Sequence, residues 1–226
     1  AVVTVNPIPV VTATPNTQAI CSGGSTSVAL TSNVPGTSFS WTVTDNPNVT
    51  GEANGSGSSI TQTLSLAAGV TTPQVVTYTV TPTANGCAGS NTTVTITVNP
   101  NPIAPTITTT NANCGENNGS ADFTIPAGMT VAYSEGTVFD VINAVPVTTT
   151  PVTGLTPGNY VFRFTSNSTS CFTDVVILIG LDELVPLPDV PTPQAVCFGQ
   201  PNIALVSGGG TNYQWYGPNN INLLIS

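Results

Sequence analysis

Histidine and lysine are absent from these 226 residues, and Arg163 is the one basic side chain. Without His there is no Ser-His-Asp or Cys-His nucleophile system and no His-ligated metal. Without Lys there are no Lys–Asn isopeptide cross-links. Ten acidic residues against one Arg leave a formal net charge of −9. The basic patch needed to hold nucleic acid through its phosphates, or an anionic membrane surface, is therefore missing. Charged residues are 5% of the chain, against roughly 25% in an average soluble protein. Long apolar runs are lacking too. The longest, Val175-Val-Ile-Leu-Ile179, has the length of a buried strand and is far short of a membrane span. No stretch carries the apolar spacing of an amphipathic helix.

What remains favours strands. Low charge with abundant Thr and Val points to β structure over disorder, and 21 Gly and 20 Pro punctuate it. Alternating segments predict strands over 27–31, 37–44, 59–66, 74–81 and 91–98. In the second, Phe39, Trp41 and Val43 share one face, and Ser38, Ser40 and Thr42 the other. Burial of one face and wetting of the other belongs to an antiparallel sandwich. Asn85-Gly86 reads as a hairpin turn, because both residues tolerate positive φ. The fold class expected is all-β, a tandem array of small immunoglobulin-like β-sandwich domains.

Internal repetition sets the domain boundaries. Ala1-Val-Val-Thr-Val-Asn-Pro-Ile-Pro9 reads like Val94-Thr-Ile-Thr-Val-Asn-Pro-Asn-Pro102, and the segment from Thr192 through Cys197 to Leu205 echoes that from Thr14 through Cys21 to Leu30. A Trp follows each, Trp41 and Trp215. Such self-similarity marks stacked domains, and the chain is expected to be a window on a longer array. Residues 1–7 read as the last strand of a preceding domain, 8–100 as one sandwich, 103–184 as a second of different kind, and 186–226 as an incomplete third. The stretch before Cys21 reads as Pro-rich linker, as do residues 186–193. Few contacts are expected across the junctions near residues 100–105 and 184–192.

The five cysteines are Cys21, Cys87, Cys114, Cys171 and Cys197. They fall two, two and one into the three domains, with no CxxC pair to suggest zinc. Paired Cys at long separation in small β-domains indicate disulfides and an oxidising, extracellular setting. The pairs expected are Cys21–Cys87 and Cys114–Cys171, with the partner of Cys197 beyond residue 226. Cys21 meets Cys87 only if it occupies a short strand at the pole of the last hairpin, since Cα atoms must lie within about 7 Å.

Cys114-Gly-Glu-Asn-Asn-Gly-Ser-Ala121, then Gly154-Leu-Thr-Pro-Gly-Asn-Tyr160, then Cys171 before the last apolar strand, resemble the SprB-type repeat of Bacteroidetes gliding-motility adhesins. Where that repeat usually has a Pro-Tyr-x-Tyr-x-Trp segment, this chain offers Val131-Ala-Tyr133. Ile20-Cys-Ser-Gly-Gly-Ser25, Trp41 and Asn85-Gly-Cys87, with Val196-Cys-Phe-Gly-Gln-Pro201 and Trp215, resemble the PKD-like and immunoglobulin-like domains found beside it. The resemblance implies a very large secreted cell-surface protein, exported by the type IX system and forming filaments for adhesion and gliding. It implies no catalytic residue.

Candidate ligand sites are few. Trp41, Trp215, Tyr213 and Tyr216 could form a sugar-stacking platform, but the alternation around Trp41 makes it a core residue. Asp45, Asn48, Thr50 and Glu52 place oxygen ligands in one loop without EF-hand spacing. Asp182, Glu183 and Asp189 flank the second linker as calcium candidates, although calcium takes about six to eight oxygens. Glu135 and Asp140 are the carboxylate pair a glycosidase would need, on a segment with no evident pocket. The expected function is a non-enzymatic stalk without cofactor, calcium apart. Its partners would be the neighbouring domains, the anchoring and secretion machinery, and extracellular polysaccharide or a surface. The alternative is an accessory module, carbohydrate-binding or spacer, of a secreted polysaccharide-degrading enzyme.

Overall fold

The computed structural model describes residues 5–113 and 115–182, with the backbone of Trp215–Tyr216 and Asn222–Leu223. Every regular element among them is a strand. Two hydrophobic cores divide the molecule. The first draws on residues from Val11 to Val98, the second on residues from Ala112 to Ile179.

In the first sandwich the main sheet runs, in spatial order, Thr17–Cys21, Thr92–Asn99, Gln74–Ala84, Ser38–Val43 and Gly55–Ser56. Alternation places side chains as expected. Phe39 and Trp41, then Val76, Tyr78 and Val80, then Val94, Ile96 and Val98 are all buried, and each contributes about 1.5–3 kcal/mol by leaving water. Opposite them lie Val28, Leu30, Ile60, Leu64 and Val49, from the short ladders of Val11–Thr14, Val28–Ser32 and Ser59–Ile60, and of Gly24–Ser25, Thr63–Leu66 and Val49–Thr50. The stretch expected as one strand over 59–66 is thus two, in different ladders. Asn85 and Gly86 turn the hairpin with φ of 49° and 79°, as the dipeptide requires.

The Pro-rich stretch before Cys21 is not linker. Val11–Thr14 pairs antiparallel with Val28–Ser32, while Thr17–Cys21 pairs parallel with Thr95–Asn99. The chain switches sheets at Pro15, a residue that donates to neither ladder. The last-strand reading of residues 1–7 falls partly on residues 1–4, outside the described ones, and Val5–Pro9 form no strand.

The second sandwich has a four-stranded sheet in the order Val145–Val147, Met129–Glu135, Gly158–Ser166 and Phe172–Ile179. Its three-stranded partner is Thr108–Thr110, Gly119–Asp122 and Val152–Leu155. Tyr160, Phe162 and Phe164 alternate into the core, where Phe123 meets the latter two edge-on at 5.4 Å. The run Val175–Ile179 is buried on one face only. Val175, Ile177 and Ile179 turn to the core, and the alternate residues Val176 and Leu178 turn to the outer face of the sheet, where they are 51% and 61% exposed.

The disulfide pairing also departs from expectation. Cys21 is bonded to Cys171, with Cα atoms 5.5 Å apart, and Cys87 is unpaired among the described residues. Register gives the reason. Cys21 lies beside Asn99 at one end of the strand Thr92–Asn99, while Cys87 adjoins Ala84 in the hairpin at the other end. An eight-residue strand separates these poles by about 25 Å, far beyond disulfide reach. Cys114 and Cys197 lie outside the described residues.

The first junction is accordingly not a bare linker. No strand pairs across it, but the Cys21–Cys171 bond crosses it. The Thr173 hydroxyl also donates to the Pro102 carbonyl at 2.6 Å, and Asn101 Nδ2 to the Ser22 carbonyl at 3.2 Å. The junction at 184–192 lies outside the described residues, as does the domain expected at 186–226 except for the pairing of Trp215–Tyr216 with Asn222–Leu223.

Candidate functional site

Polar groups converge at one place in the second sandwich, a cleft of about 460 Å³. Tyr133 and Glu135 reach it from the end of a central strand, Asp140 and Asn143 from the following loop, Thr156 and Tyr160 from the turn opposite. The segment bearing Glu135 and Asp140, expected to lack a pocket, therefore lines one.

Most of the cleft's polar atoms are already engaged. The Asp140 carboxylate accepts from Asn143 Nδ2 at 2.7 Å and from the backbone N–H groups of Ile142 and Asn143 at 2.9 and 3.4 Å. These bonds, that from the Asn143 side chain foremost, stabilise the carboxylate and hold its pKa below the ordinary aspartate range. Its own N–H donates to the buried Ser134 hydroxyl at 2.9 Å, so Asp140 folds its loop onto the sheet. The Tyr160 hydroxyl accepts from the Thr156 N–H at 3.0 Å, donates to the Thr156 carbonyl at 3.1 Å and meets the Thr156 hydroxyl at 2.9 Å. A tyrosine bonding back over four residues is the corner that pins the start of a sandwich strand. Among the described residues the Tyr133 hydroxyl and the Glu135 carboxylate make no side-chain hydrogen bond. Burial, with smaller contributions from Tyr160 and Glu135, pushes the Tyr133 phenol up. An aromatic ring beside a free carboxylate can meet the face and hydroxyls of a sugar. The cleft holds no nucleophile activated by a base.

In the loop of Asp45, Asn48, Thr50 and Glu52, three of the four side chains are engaged by protein groups. Asn48 donates to Gln74 Oε1 at 3.2 Å, Thr50 to the Ser65 carbonyl at 3.3 Å, and Glu52 Oε1 accepts from the Asn46 N–H at 3.2 Å. Glu52 Oε2 is buried without a partner. Asp182 is exposed, its N–H donating to the Ala112 carbonyl. Glu183 and Asp189 lie outside the described residues. Among those described, no three His, Cys, Asp or Glu side chains gather as a metal site would need.

Trp41 is buried, its indole N–H donating to the Ala53 carbonyl at 3.3 Å; it belongs to the core and not to a sugar platform. The side chains of Tyr213, Trp215 and Tyr216 lie outside the described residues. Sequence reasoning missed the cleft loop, for which the Asp140-to-Asn143 spacing of a side-chain-capped turn was the available signal. It also missed the cysteine partners, for which there was no local signal.

Residues 18–102 match the family described as PKD-like domain. No curated protein sequence matches. Among solved structures, the FN1–FN3 domains of chicken CNTN1 are similar at 10% identity and a TM-score of 0.34, over 72% of this chain and 65% of that one. The human desmocollin-1 ectodomain is similar at 10% identity and 0.31, over 83% of this chain and 39% of that one. The IG1 and IG2 domains of DIP-gamma are similar at 10% identity and 0.26, over 79% and 99%. The chain thus spans about two thirds of the CNTN1 fragment and less than half of the desmocollin-1 ectodomain. Overlaps this loose carry no functional argument.

Proposed function

We propose that this chain is a non-enzymatic stalk segment of a large secreted cell-surface adhesin, of the gliding-motility type that its SprB-like motifs resemble, exported by the type IX route. One observation carries the reading: two small sandwiches follow one another in tandem and are tied covalently across their junction. A disulfide of this kind fits an oxidising, extracellular setting, and the PKD-like match of residues 18–102 fits an array module. With one Arg and a net charge of −9, the segment offers little for indiscriminate adhesion. Neighbouring domains of the same chain are its partners, and it needs no cofactor.

The cleft at Tyr133 and Glu135 favours a second reading, a carbohydrate-binding accessory module. Two measurements separate them. The full open reading frame should carry many further copies of these domains; a catalytic domain beside them would favour the accessory module. The purified chain should show no saturable binding to polysaccharides or glass. Saturable binding lost on Tyr133→Ala would make this an adhesive module and not a stalk.

A further inference from the structure

Cys21 closes the second strand of the first sandwich, and Cys171 immediately precedes the last strand of the second, Phe172–Ile179. We propose that their bond is a force shunt, which carries tension along the array past the linker and past most of both sandwiches. Residues 22–170 all lie inside the covalent loop it closes. A pull entering upstream of Cys21 and leaving downstream of Cys171 passes through the sulfur atoms. It bears on the Gln74–Ala84 strand, the Pro-rich linker and the Gly158–Ser166 strand only through non-covalent contacts. Only the segments before Cys21 and after Cys171 can be drawn out.

Placement supports this use. Parallel pairing with Thr95–Asn99 sets Cys21 at the pole where the chain leaves the first sandwich. Cys171, fully buried, starts an edge strand at the facing pole, where Thr173 bonds to Pro102. A bond within either sandwich would leave the linker as the sole covalent connection; this one makes the stretch from Cys21 to Cys171, the greater part of both sandwiches, a single inextensible unit. The proposal deepens the stalk reading, on which its biological use rests, while the shunt itself depends only on connectivity.

Single-molecule stretching of the whole chain by its termini, before and after dithiothreitol, tests it. The bond spans 150 residues of sequence, so reduction should add roughly 500 Å of releasable length at about 3.3–3.6 Å per residue. The Cys171→Ser variant should release the same length without reductant, and Cys87→Ser should behave as the parent. Pairing within each sandwich would instead give roughly 200 Å for either variant and would overturn the proposal. So would an oxidised parent chain that already extends fully. Because the parent chain is read both oxidised and reduced, the test survives a variant that fails to fold. A proteolytic peptide joining Cys21 to Cys171 should appear by mass spectrometry of the unreduced chain. Binding to polysaccharide would defeat the stalk reading and leave these lengths unchanged.

Discussion

Arg163 donates from Nε and Nη2 to the two carboxylate oxygens of Asp174, each at 2.7 Å, from a central strand of the second sandwich across to its edge strand. Its guanidinium also lies 4.1 Å from the ring centroid of Phe139 and 3.7 Å from that of Phe172. The only cation of the chain thus organises the outer face of a sheet, where a planar fork serves both carboxylate and rings. Arg163→Lys should cost about 1 kcal/mol in urea unfolding, since the pair is partly exposed and surface pairs are weak. A loss above about 3 kcal/mol would mean that the fork does more than this geometry implies.

The same residue is the only tryptic site, and it lies mid-strand with ladder partners on both sides, Ala132 and Asp174. Native protein should resist trypsin. Unfolded but unreduced protein should be cut once, and its two pieces should separate on a gel only after reduction, because residue 163 lies between the bonded cysteines.

Tyr160→Phe removes the hydroxyl that satisfies three groups of Thr156. A buried corner of this kind should lose about 1–3 kcal/mol, read as a lower denaturant midpoint for the second sandwich. Loss of the first sandwich's transition instead would show that stability is not partitioned between the two cores.

A Cβ added at Gly55 would sit 2.6 Å from Cζ2 of Trp41. Gly55→Ala should therefore overpack the first core by about 1–3 kcal/mol, whereas Trp41→Ala should cost about 3–5 kcal/mol through the cavity it leaves. A neutral Gly55→Ala would mean that the indole is free to shift.

Burial, with the Glu52 charge adding to it, pushes the Tyr78 phenol up to about 12 from an ordinary 10.0. The neutral phenol, donating to Gln62 Oε1 at 2.6 Å, is the form the fold favours. Its contribution to stability is complete below pH 10 and is lost as pH rises from 10 through 12. Ultraviolet titration should show one tyrosine ionising last, and Tyr78→Phe should remove that component. Ionisation of every tyrosine together near pH 10 in the folded protein would refute it.

Alternation along the chain determined the two cores, because a strand's side-chain period of two is a local property: Phe39 and Trp41, Val94 to Val98, and Tyr160 to Phe164 are buried where the sequence places them. The Asn85-Gly86 turn is local in the same way. What the sequence left undecided depends on which strands become neighbours. The apolar run Val175–Ile179 has a buried strand's length, yet the fold covers only the face bearing Val175, Ile177 and Ile179. The segment before Cys21 looks like linker until the strand Thr92–Asn99 offers it a parallel partner. The cleft needs the loop of Asp140 and Asn143 and the turn of Thr156, distant in the chain, to meet at one end of the sandwich. The cysteine pairing is the clearest case: spacing within a domain says nothing of poles, and only the register of Thr17–Cys21 against Thr95–Asn99 carries Cys21 to the junction, within reach of Cys171 and away from Cys87.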